Sequence, residues 1–189
     1  MAEKKFTIRK YKADDKENVL KVLYETSSMP IETEEQREFL RLMFNDYYTE
    51  EEPENCFVVD CDGEAVGYIL CAENYDRYDR AFREKYFPRL RKLGKSYLIT
   101  AKGEMLVHKL FRRRFPAHLH IDILPVCQGI GAGTKLVDAL SEHLASKGVK
   151  GLMLSCGMGN KGAIKFYKKN NFRILVNFFG SCLMAKEIK

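Results

Sequence analysis

Alternation and helical periodicity divide the chain into a regular succession of elements. Phe6 to Tyr11 alternates apolar and polar residues and predicts a first strand. Asp14 and Asp15 open a helix whose inner side is Val19, Leu20, Val22 and Leu23, and Met29-Pro30 breaks it. A second helix is predicted from about Thr33 to Tyr48, with Phe39, Leu42 and Met43 apolar. The acidic run Glu50 to Glu54, interrupted by Pro53, reads as a loop. Phe57 to Asp60 and Ala65 to Ala72 read as strands joined through Asp62-Gly63, a pair suited to the two positive φ angles of a tight hairpin.

The second half repeats strand and helix signals at closer spacing. Leu119 to Leu124 is a strand-like run, and Pro125, which cannot donate to a ladder, ends it. Gly129, Gly131 and Gly133 follow at alternate positions. A helix comes next, with Leu136, Val137, Leu140 and Leu144 on one side and Lys147-Gly148 closing it. Gly151 to Cys156 is a strand, Gly157 to Gly159 a turn, and Asn160 a good N-cap for another helix. Phe172 to Val176 and Cys182 to Ile188 finish as an antiparallel pair turned at Gly180. No internal repeat or low-complexity segment interrupts the series.

Residues 73–116 are rich in Tyr, Phe, Arg and Lys. Tyr75 to Leu93 reads as one helix, kinked or broken near Pro88. Gly94 separates it from a segment ending in Arg112-Arg113-Arg114-Phe115-Pro116. Such a stretch is long for a loop and suits a lid, a partner surface, or a helical hairpin packing its aromatics on the sheet edge. Its basic-aromatic composition would also suit nucleic acid, but no binding motif accompanies it, and none is expected.

Bulk properties narrow the class. With 189 residues, 46% hydrophobic and 31% charged, the chain suits one domain, 1–189, with a sizeable core. No apolar run nears the ~20 residues of a membrane span, and Met1 to Lys10 lacks the apolar region of a signal peptide. The six cysteines form no C-x-x-C and read as reduced, partly buried thiols of a cytoplasmic protein. His108, His118, His120 and His143 show no metal-ligand spacing with them, so no metal is expected. The net charge of +6 hides an asymmetry: 9 basic and 18 acidic side chains in residues 1–74, 13 and 4 in 75–116, and 10 and 4 in 117–189. A polyanionic ligand is expected in the positive half.

Strand, glycine-rich turn and helix together make an anion site, because the first amides of a helix lack partners and sit at the positive end of its dipole. Two nucleotide motifs fail here on spacing. The third glycine comes one residue early for G-x-G-x-x-G, and Gly133 is followed by Thr134 and Lys135 rather than Lys-Ser/Thr. What matches is Gln128-Gly129-Ile130-Gly131-Ala132-Gly133, which resembles the Q/R-x-x-G-x-G/A loop of the GNAT superfamily of N-acetyltransferases. Asn160 to Phe172, N-K-G-A-I-K-F-Y-K-K-N-N-F, resembles that family's N-x-x-A-x-x-F-Y-x-K-x-G-F helix. Asn171 stands where the family usually has glycine, and Asn is the next-best residue for a left-handed helix end. A-H-L-H-I-D-I-L-P before the loop is similar to bacterial members akin to the acetyltransferase-like domain of O-GlcNAcases, which also carry a long insertion there; the eukaryotic domain looks like a pseudo-acetyltransferase.

The resemblance implies an α/β GNAT fold: a mixed, mostly antiparallel sheet of about seven strands flanked by helices. Its fourth and fifth strands would be parallel and splayed, and a long helical insertion at 73–116 would replace a short turn. It implies an acetyl-CoA-dependent N-acetyltransferase in which a primary amine attacks the thioester directly in a ternary complex. The alternative is a silent acyl-CoA-binding module. Acetyl-CoA would meet Gln128, Gly129, Ile130, Gly131, Ala132, Gly133 and Thr134 at its diphosphate, and Asn160, Ala163 and Tyr167 on the facing helix. The amide of Ile123 or Leu124 would hold the oxyanion. Tyr167 would protonate the departing thiolate, or only tether the sulfur as a core aromatic. His120 and Asp122 alternate on one strand face, so either could take the amine proton, with the Asp orienting the imidazole; the other reading is a buried polar pair bonded to the insertion. The acceptor would be a small-molecule or peptide amine, and the protein a monomer or homodimer. The insertion, through Arg112 to Arg114, would cover the acceptor side and favour neutral or acidic amines over polyamines.

Overall fold

Seven strands form one sheet in the order β1-β2-β3-β4-β5-β7-β6 in the computed structural model, which describes residues 5–189. The leader-free reading of the first ten residues falls partly on residues 1–4, outside the described residues. The strands are β1 Thr7–Lys10, β2 Phe57–Cys61, β3 Glu64–Ala72, β4 Ala117–Ile123, β5 Gly151–Gly157, β6 Arg173–Phe178 and β7 Ser181–Glu187. Every neighbouring pair is antiparallel except β4 and β5. Those two are in register only at Ala117–Leu152 and His118–Met153, then part. Asp62 and Gly63 turn the β2/β3 hairpin with φ of 55° and 91°, and Asn171 ends its helix at φ 66°, as the sequence predicts.

Alternation sends β4 side chains to two cores. Ala117 and Leu119 pack under α7 (Ala132–Ser146) and α8 (Lys161–Lys169) with Leu136, Leu140 and Tyr167. The opposite face is covered by α1 (Lys16–Thr26), α2 (Glu34–Arg41), α3 (Tyr47–Glu51) and the insertion. A π turn over Leu42–Asp46 joins α2 to α3, so the helix expected from Thr33 to Tyr48 has a widened turn in it.

Residues 73–116 form α4 (Tyr75–Ala81), a second π turn (Phe82–Tyr86), α5 (Phe87–Leu93) and α6 (Lys95–Phe111). Pro88 is the second residue of α5, directly after the π turn, so the helical run from Tyr75 to Leu93 is widened there and not broken. The aromatics Tyr75, Tyr78, Phe82 and Tyr86 are buried on the sheet face beside α3, rather than on an edge. The charge asymmetry has a local cause here. Arg77 binds Glu52 at 2.7 Å, Lys85 binds Glu51 at 2.5 Å, and Arg89 binds Glu38 and Asp46 at 3.1 Å each. Thus much of the positive insertion is pinned to the acidic helices.

The expectation for Arg112 to Arg114 fails. Arg112 pairs with Asp76 and Arg114 with Glu187, both at 2.7 Å. Arg113 and Arg114 line a groove with Gly148 and Lys150 at the start of β4. Asp122 lies at the far end of that strand, roughly 20 Å away at ~3.3 Å per residue.

Glu52 is the anchor of this docking. Its carboxylate is 1% exposed and accepts hydrogen bonds from the Tyr47 hydroxyl (2.5 Å), the Asn55 amide (2.7 Å) and the Glu73 backbone N–H (2.9 Å), besides Arg77. Removing one partner of such a set strands the others. Glu52→Ala is expected to cost about 3 kcal/mol, read as a lower urea midpoint with unchanged slope.

Candidate active site

The parting of β4 and β5 opens a cleft of about 580 Å³, within the range usual for small-molecule sites. β4 supplies Ile121, Asp122 and Ile123; the loop and α7 supply Gln128, Gly129, Gly131, Gly133 and Thr134; α8 supplies Asn160, Ala163 and Tyr167. The loop is shaped for close backbone approach. Gly131 caps α7 at φ 89°, a left-handed conformation costly for any residue with a Cβ. A Cβ on Gly133 would press Phe166 at 3.0 Å, so this glycine lets α7 close on α8. The Asn160 side chain accepts the Ala163 N–H at 3.0 Å and caps α8, fixing that helix against the cleft.

Three residues expected at the cofactor do not line the cleft. Leu124 donates its N–H to the Val66 carbonyl at 2.9 Å, so that amide is occupied. By alternation the Ile123 N–H faces the gap between the strands, while its carbonyl accepts the Gln128 side-chain amide at 2.7 Å. Ile130 turns its side chain to solvent, and Ala132 is buried in the α7 core. Conversely Thr26, Cys127, Phe166 and Lys169 line the cleft without having been singled out. Thr26 ends α1, far from β4 in sequence, and only the fold brings it beside Asp122.

Asp122 and His120 share a strand face but do not pair. The Tyr68 hydroxyl, from β3, donates to Asp122 at 2.7 Å. Burial raises the Asp122 carboxyl to about 6, against the lowering effect of the Tyr68 and Thr26 hydroxyls. His120 Nε2 lies 3.0 Å from the Tyr48 hydroxyl of α3, and burial, with His108 next, lowers the imidazole to about 3. The orientation of His120 by Asp122 expected from their spacing is therefore replaced by two separate tyrosine contacts. Of the two groups, the carboxylate is the better proton acceptor near neutral pH. Tyr167 is buried and remains a phenol well past the usual range, through burial first and then the nearby Asp122 and Cys156. All six cysteines are buried thiols. Among the described residues no group of three or more His, Cys, Asp or Glu side chains could hold a metal ion, and no helix is long and apolar enough to cross a membrane.

Comparison with known proteins agrees with this geometry. The model of the acetyltransferase (GNAT) family matches residues 19–172. The crystal structure of SsHAT is similar over 97% of this chain and 98% of that one, with 25% identity and a TM-score of 0.86. The PaiA N-acetyltransferase of Thermoplasma acidophilum, solved with coenzyme A, shares the fold at 16% identity and TM-score 0.61, covering 97% and 99% of the two chains. The ribosomal-protein-S18-alanine N-acetyltransferase of Escherichia coli does so at 16% identity and TM-score 0.60, covering 98% and 95%. A splayed parallel pair, a glycine loop opening α7 and an Asn-capped α8 thus occur together in a chain that belongs to the GNAT acetyltransferase family.

Proposed function

We propose that this protein transfers the acetyl group of acetyl-CoA to a primary amine by direct attack in a ternary complex. The observation behind this reading is that Asp122 and Tyr167 line one cleft from opposite walls, where β4 and β5 part beside the open N-terminus of α7. Acetyl-CoA would supply the activated acyl carbon and a thiol leaving group. Its diphosphate would meet the backbone amides from Gly129 to Thr134, where helix-start N–H groups have no internal partner. Asp122, with its raised carboxyl, takes the amine proton. The Ile123 N–H stabilises the oxyanion formed as nitrogen bonds the acyl carbon. Tyr167 returns a proton to sulfur as the carbon–sulfur bond breaks. Buried thiols suit a reducing compartment, and we place the protein in the cytoplasm.

Thiol release from acetyl-CoA against a panel of primary amines tests the reading, alongside thermal denaturation with and without acetyl-CoA. Stabilisation by acetyl-CoA with no thiol release for any amine would assign the chain to silent acyl-CoA binding instead. No stabilisation at millimolar acetyl-CoA would end both readings. Tyr167→Phe is expected to lower kcat about 10–100-fold while leaving acetyl-CoA affinity within about twofold, since only the transferable proton is lost. An unchanged kcat would reduce Tyr167 to packing.

A further inference from the structure

Within the sheet, the last residues of β4 are held from one side. β5 pairs with β4 only at Ala117–Leu152 and His118–Met153 and then departs. β3 stays in register to the end, with Ile69 opposite Ile121, Tyr68 opposite Asp122 and Gly67 opposite Ile123. Beyond them the Val66 carbonyl accepts the Leu124 N–H at 2.9 Å. The positions of Asp122 and Ile123 at the cleft therefore depend on Val66 to Tyr68, a stretch that does not itself line the cleft.

Tyr68 is fully buried, and its hydroxyl donates to Asp122 Oδ2 at 2.7 Å, its one hydrogen-bond partner among the described residues. Thr26 of α1 also lies against the carboxylate, but its hydroxyl donates to the Val22 carbonyl at 2.7 Å and so has a second acceptor. Thr26 can turn away from an incoming amine; Tyr68 has nowhere else to turn. With Oδ2 tied to β3, the carboxylate cannot swing freely about its terminal torsion. Gly67 acts on the next residue of β4. With ladder bonds at Val66–Leu124 and, by alternation, at Tyr68–Asp122, Gly67 and Ile123 form a non-hydrogen-bonded pair, whose Cα atoms approach more closely. A Cβ on Gly67 would lie 2.9 Å from Ile123 Cγ1 and 3.1 Å from both the Asp122 carbonyl oxygen and Val59 Cγ2. Backbone and branched side chains enclose it, so an added methyl group displaces β4.

We infer that Gly67 and Tyr68 are the positioning residues of the transfer: Tyr68 holds the Asp122 carboxylate in place for the amine, and Gly67 lets β4 lie where the Ile123 N–H meets the oxyanion. This rests on the acetyltransferase reading. Neither residue touches substrate; each acts through its partner on β4. Tyr68 and Tyr167 are the ionisable groups facing Asp122 among the described residues, and the Thr26 hydroxyl is its remaining polar neighbour. Burial keeps both phenols protonated past the usual tyrosine range. The Tyr68 hydroxyl favours the charged form of the carboxyl. Tyr68→Phe, which keeps the ring, must therefore raise it.

The test compares wild type with Tyr68→Phe and Gly67→Ala, each as the full chain. In Tyr68→Phe the rising limb of kcat/KM should move from about pH 6 to a value about 1–2 higher, the worth of one hydrogen bond to a charged group. The ¹³C-carboxyl titration of Asp122, assigned by its absence from Asp122→Asn, should show the same displacement without any turnover. A carboxyl that stays in place in Tyr68→Phe overturns the inference. So does a carboxyl that moves while the limb of kcat/KM does not, because Tyr68 would then act on Asp122 without acting on transfer. Gly67→Ala leaves the Tyr68–Asp122 bond in being. It should lower kcat about 3–30-fold with the limb still at about pH 6, and an unchanged kcat overturns the assignment of Gly67. Turnover of no amine by the wild-type protein would instead strike the transferase reading, while the carboxyl titration still decides whether Tyr68 holds Asp122.

Discussion

Asp122→Asn is expected to cut kcat/KM for any accepted amine by about 10²–10⁴-fold, the usual worth of a positioned general base, and at the same time to raise the melting temperature. Both follow from one environment. The carboxyl titrates near 6 in the fold because burial disfavours its charge, against ~3.9 in an unfolded chain. A carboxyl raised in this way stabilises the fold below its unfolded value, and that contribution is lost as pH climbs through 6. At pH 7 the carboxylate is a net cost, and an amide that still accepts the Tyr68 hydrogen bond removes it. Allowing for partial exposure, the gain is on the order of 2 kcal/mol. Wild-type kcat/KM should also show a limb rising through about pH 6 that is missing from the residual rate of the variant. Wild-type activity in Asp122→Asn would remove Asp122 from the proton path.

Gly131→Val should abolish stabilisation by acetyl-CoA. At one hundred times its dissociation constant a ligand adds about 2.7 kcal/mol, which for a chain of this size is roughly 5–11 °C in melting temperature. Valine at φ 89° is strained by about 1–2 kcal/mol before any ligand arrives. Among the described residues, its two chain neighbours aside, no heavy atom lies within 4 Å of the added Cβ. The bulk therefore projects into open space beside the loop, where a diphosphate would approach the backbone, and packing in the protein itself is spared. The expected pattern is a modestly lower melting temperature that no longer responds to millimolar acetyl-CoA. A full response would move the diphosphate away from this turn.

The strands, both glycine-turn elements and the α8 cap were readable because periodicity and capping are local. The site was readable in part, to the extent that its residues sit on those elements: Asp122, Ile123, the loop glycines, Asn160 and Tyr167 converge on the cleft. The partners of those residues were not readable. Tyr68 reaches Asp122 from a neighbouring strand and Tyr48 reaches His120 from a helix on the covering layer, so nothing in the spacing of His120 and Asp122 reveals that each is already engaged. The misplacement of Arg112 to Arg114 has a simpler source. Residues just before a strand lie at its beginning, whereas the cleft opens at the end of β4, and closeness in sequence to His120 concealed the length of the strand between them. The opposing charge of the two halves was legible as a tally and misleading as a map, because much of it is neutralised between layers.

The π turn at Leu42–Asp46 has a consequence for Tyr48. Each residue of a helix advances the direction of the next side chain by about 100°. A π turn holds one residue more than an α turn, so every side chain after it is rotated by about that much relative to an unbroken helix. Tyr48 lies two positions beyond the turn and meets two histidines at once. In a straight α2–α3 helix the same tyrosine would face elsewhere, and neither imidazole would meet its hydroxyl. A single inserted residue can thus act as an aiming device, carrying a hydroxyl of the covering layer onto two histidines of the central sheet.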